Sequence, residues 1–82
     1  RVLFLLRKIE INCRRKVSYD DKIKIGEILF FILYHIEVPL ISKLSLKIVK
    51  KLGINLKDGI KTPFDYEYKL YSISNKQELA FK

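Results

Sequence analysis

A lone cysteine, Cys13, cannot close an internal disulfide, so the chain must fold without a crosslink of its own. That accords with a reducing compartment such as the cytoplasm. Cys13 follows Ile11 by two residues and is expected to pack as a small buried hydrophobe. Histidine is equally scarce. His35 is the single one, and it lies inside an apolar run, where a packed core position is expected. One cysteine and one histidine supply no zinc site of ordinary ligand spacing. The three glycines, Gly26, Gly53 and Gly59, form neither a phosphate loop nor a dinucleotide fingerprint. Close acidic pairs are limited to Asp20 with Asp21 and Asp65 with Glu67. The first reads as a helix cap and the second as the solvent side of a strand. No catalytic residue, metal or cofactor is therefore expected, and the enzyme classes built on these motifs are set aside.

A long uninterrupted hydrophobic run is also missing. Residues 23–41 would reach across a bilayer, but they include Lys24, Glu27, His35, Glu37 and Pro39. A span needs about 20 predominantly apolar residues, so no transmembrane segment is expected. Residues 27–36, EILFFILYHI, read instead as a buried core helix.

The chain is 82 residues long, which is one small domain with a thin core. It opens on Arg1 and is expected to be a piece of a longer chain. The net charge is +8, and it is unevenly distributed. Residues 1–24 carry eight basic and three acidic side chains. Residues 43–61 carry six lysines and a single acid, Asp58. Residues 25–42 hold only Glu27 and Glu37, and residues 62–82 are balanced. Two basic blocks around an apolar centre suit an anionic partner.

Apolar spacing predicts the elements. Val2, Leu5, Leu6, Ile9 and Cys13 fall on one helical stripe, which predicts a helix over residues 1–16. Asp20 or Asp21 can cap a second helix over residues 22–36. Leu29, Ile32, Leu33 and Ile36 are expected to be buried in it. Gly26 weakens that helix and is expected where another backbone comes close. Pro39 suits the first turn of a third helix and Gly53 its C-terminal cap, giving residues 39–52. On that helix Ile41, Leu44, Ile48 and Leu52 form one stripe, and Lys43, Lys47, Lys50 and Lys51 another.

After a loop with Asp58-Gly59 and Thr62-Pro63, apolar Phe64, Tyr66, Tyr68 and Leu70 alternate with Asp65, Glu67 and Lys69. Alternation predicts a strand, and Ser74, Asn75 and Lys76 a turn into a second one. The expected fold is α+β, three helices followed by a C-terminal β-hairpin, in winged-helix-like order. Residues 48–55, IVKKLGIN, resemble the second helix and turn of a helix-turn-helix. Residues 62–82, with Tyr66, Tyr68 and Glu78-Leu79-Ala80, resemble the closing hairpin of pilin-like proteins. That resemblance implies a structural assembly subunit, although residues 25–41 depart from its pattern.

The function expected from these readings is a non-catalytic binding module. Sequence-independent nucleic-acid contact is assigned to Lys43, Lys47, Lys50, Lys51, Lys57 and Lys61. Arg7, Arg14 and Arg15 are expected to contribute less, being spread around their helix. Assembly as a homo-oligomer, or packing against the parent chain, is the alternative.

Overall fold

The computed structural model describes residues 2–12 and 17–80. They form four α-helices: α1 (Val2–Asn12), α2 (Tyr19–His35), α3 (Pro39–Leu52) and α4 (Pro63–Ala80). No strand occurs among the described residues. The α+β class, the C-terminal hairpin and the winged-helix order are therefore corrected to an all-helical bundle. The pilin-like hairpin falls with them. The helix-turn-helix likeness also ends at α3, because residues 54–61 form no recognition helix.

The reason lies at the start of α4. Thr62 Oγ1 accepts a hydrogen bond from the Asp65 backbone N–H at 3.2 Å. Pro63 opens the helix, and Asp65 lies in its first turn. A threonine cap, proline at the first position and an early carboxylate are three mutually consistent helix-start signals. The buried set is Tyr66, Leu70, Ile73 and Ser74, which is one face of a helix. The apparent alternation is split, since Tyr66 and Leu70 are buried while Phe64 and Tyr68 are exposed.

The other three helices follow their sequence signals more closely. In α1, Leu5, Leu6 and Ile9 are buried and Val2 packs on the core. Cys13, Arg14 and Arg15 lie outside the described residues. Helix α2 begins before Asp20 because Ser18 is its cap, its Oγ accepting from the Asp21 N–H at 3.2 Å. Asp20 and Asp21 instead sit in the first turn, at the positive end of the helix. Leu29 and Ile32 are buried with Ile25 and Ile28. Leu33 is only half-buried and lies outside the core cluster, while Ile36 packs against its margin. His35 is exposed rather than packed in the core, its ring stacked on Phe31 at 4.4 Å. Helix α3 has the expected bounds, with Pro39 in its first turn and Gly53 capping it at φ 62°.

Helix α1 packs on α3 and α4, and α2 packs on the same two. Residues 53–62 run from α3 to α4, and they do so across α2 at Gly26. A Cβ added there would stand 2.6 Å from the Asn55 carbonyl oxygen and 3.1 Å from Ile54 Cγ2. Ile54, within this strap, is buried. Beside it, Lys69 Nζ of α4 donates to Glu27 Oε2 of α2 at 2.6 Å.

Tyr66 carries a testable cost. Its ring is 3% exposed and stacks on Phe31 at 4.7 Å. Its hydroxyl is buried and has no hydrogen-bond partner among the described residues. Burial, with Glu67 adding repulsion, pushes the phenol well above its ordinary value. An unfolded tyrosine releases its proton near pH 10, while the folded one keeps it. The linked stability is therefore fully present below about pH 10 and is lost as pH rises beyond it. Tyr66→Phe should stabilise the fold by about 1 kcal/mol at neutral pH, because it removes a desolvated, unpaired hydroxyl. It should also flatten the alkaline loss. Urea unfolding at pH 7 and above pH 10 reads both effects.

Candidate nucleic-acid interface

The outer faces of α1 and α3 meet in an open groove of about 610 Å³. Each face follows from helical spacing. On α3, Lys43, Lys47 and Lys50 stand four and then three residues apart, so they share a side. They lie away from the side that buries Ser45 and Ile48. On α1, Leu3, Arg7, Glu10 and Ile11 share a side turned away from buried Leu5 and Ile9. The groove is thus lined by the basic residues Arg7, Lys43, Lys47 and Lys50, with Glu10 the one acid among the described residues. Its apolar lining comes from Leu3, Ile11, Leu40, Leu44 and Leu46.

The six lysines assigned from the sequence do not form one patch. Lys43, Lys47 and Lys50 come together in the groove. All three are exposed, and none has an ion-pair partner among the described residues. Lys51 is drawn to α1, where its Nζ donates to the Glu10 carbonyl oxygen at 3.3 Å. Lys57 lines a separate hollow of about 310 Å³ with Tyr19, Lys22 and Ile23, between the strap and the first turns of α2. Lys61 is exposed just before α4 and lines neither hollow.

Arg7 is the residue that sequence reasoning undervalued. Helical spacing puts it on the outer side of α1, but only the packing of α1 on α3 sets it beside the lysines. The apolar lining was missed for the same reason. Leu40 and Leu46 flank the lysines of α3, and Ile11 faces them from α1.

Among the described residues, no three His, Cys, Asp or Glu side chains are grouped to hold a metal ion. None of the described helices is long and apolar enough to cross a membrane. No family model, curated protein or solved structure matches this chain.

Proposed function

We propose that the chain is a non-catalytic binding module that contacts nucleic acid through the phosphate backbone, without reading sequence. The observation that carries this is the convergence of Arg7, Lys43, Lys47 and Lys50 on one open groove, with Glu10 the one acid among its described lining residues. Lysines at this helical spacing place about 10 Å of positive charge along the α3 axis. Such a line of charge exchanges condensed counterions for phosphates and reads no base edge. Lys57 and Lys61 are left out of the site, because each stands elsewhere on the surface.

Four phosphate contacts to duplex DNA give a log–log salt slope of roughly −3 to −4. Fluorescence anisotropy with a labelled duplex and a labelled single strand, titrated at several salt concentrations, measures it. Changing Arg7, Lys43, Lys47 and Lys50 together to glutamine should bring the slope close to zero. Changing Lys57 and Lys61 to glutamine should leave it near the wild-type value. Binding weaker than about 0.1 mM at physiological salt would be ordinary non-specific attraction and would end this proposal.

A further inference from the structure

Phosphate contact leaves the apolar lining of the groove unused, and a second surface of the molecule fits it. Helix α4 exposes Phe64 (75%), Tyr68 (67%) and Tyr71 (53%). These stand four and then three residues apart, so they form one stripe. The stripe lies on the side opposite buried Tyr66, Leu70 and Ile73 and points away from the bundle. It therefore cannot turn into the groove of its own chain.

We propose that the aromatic stripe of α4 in one copy seats in the α1–α3 groove of a second copy, so that the chain associates head to tail. Three features argue for this occupant. Anchors at this spacing are those of a helix laid in an apolar groove. The stripe extends about 10 Å along α4, and the groove runs about 12–15 Å along α1 and α3, from Leu3 to Ile11 and from Leu40 to Lys50. The charges are also complementary. Asp65 and Glu67 accompany the stripe, and Lys69, the one base among them, is engaged by Glu27. The groove opposite carries Arg7, Lys43, Lys47 and Lys50. Opposite charge on matching patches sets register and disfavours pairing of the groove with itself.

A contact between two different patches is heterologous. Three rings form a small interface, at the weak and reversible end of the range. The proposal does not rest on nucleic-acid binding, although both would draw on the same groove charges.

Sedimentation velocity of the 82-residue chain up to several hundred micromolar tests it. Two double variants are needed, both at exposed residues: Phe64→Ser with Tyr68→Ser, and Leu40→Glu with Lys47→Glu. Far-UV circular dichroism checks that each stays helical. The wild type should show a mass that rises with concentration. Each variant alone should remain monomeric, having lost one side of the contact. Mixed in equal amounts, the two should form a one-to-one dimer and nothing larger, because a single intact stripe meets a single intact groove. A wild type that stays monomeric throughout, a variant that associates like the wild type, or a mixture that stays monomeric would each overturn the proposal. NMR dilution of the wild type gives a reading free of substitutions. Signals of Phe64, Tyr68 and Tyr71 should broaden with concentration together with those of Leu40 and Leu46. Broadening of the stripe alone would point to stripe-on-stripe pairing and reject the groove.

Discussion

Ile32→Ala should cost about 2–5 kcal/mol, the range for removing a large aliphatic side chain from a well-packed interior. Ile32 is fully buried on α2, and that helix packs on both α3 and α4. With Ile25, Ile28 and Leu29 it provides the α2 side of the core cluster. The cavity would open between three elements that have little freedom to collapse. In a small domain the whole folding free energy is about 5–15 kcal/mol, so this one change could remove much of it. Leu33→Ala is the matched control. Leu33 follows Ile32 directly but faces outward, half-buried and outside that cluster. Its truncation should cost no more than about 1 kcal/mol, since only part of its apolar surface leaves water on folding. Chemical denaturation of both variants checks the contrast. Equal losses at the two positions would mean that α2 is rotated from the orientation described.

Gly26→Ala should destabilise by about 1–3 kcal/mol, the cost of overpacking a tight contact. Helix propensity alone predicts the opposite sign, because alanine is better than glycine within a helix by about 1 kcal/mol. Sterics decide the outcome. The added methyl would stand 2.6 Å from a backbone carbonyl oxygen of Asn55, which cannot move without shifting the strap. Displacing the strap would uncover Ile54 and disturb the neighbourhood of Glu27 and Gly59, where an added Cβ would lie 2.6 Å from the carboxylate. Amide exchange over residues 53–60 should accelerate more than exchange in the middle of α2. A Gly26→Ala variant more stable than the wild type would show that the strap does not cross the helix at this point.

The start of α4 carries its own local signal, and it competes with a strand pattern. Thr62, Pro63 and Asp65 are a helix N-terminus written in three residues, and the same proline logic correctly places the start of α3 at Pro39. The alternation of aromatics with charges from Phe64 to Leu70 points the other way, because aromatic residues favour strands and a period of two fits a short window. Extending the window to Ile73 and Ser74 makes the helical period visible.

Adjacent residues control the local events of this fold. Pro39 and Gly53 bound α3, the lysines share one side of it, and Gly26 marks a close approach. These depend on backbone stereochemistry and on helical spacing, which are short-range. Which helix faces meet depends on packing between elements far apart in the chain. Helix α2 is apolar nearly all round, so its pattern could not distinguish buried Ile32 from half-buried Leu33. Packing of α1 on α3 brought Arg7 to the lysines and drew Lys51 to the Glu10 carbonyl oxygen, while the strap carried Lys57 to a different hollow. Contacts between elements distant in sequence depend on how several amphipathic surfaces bury one another together, and no short window of residues contains that information.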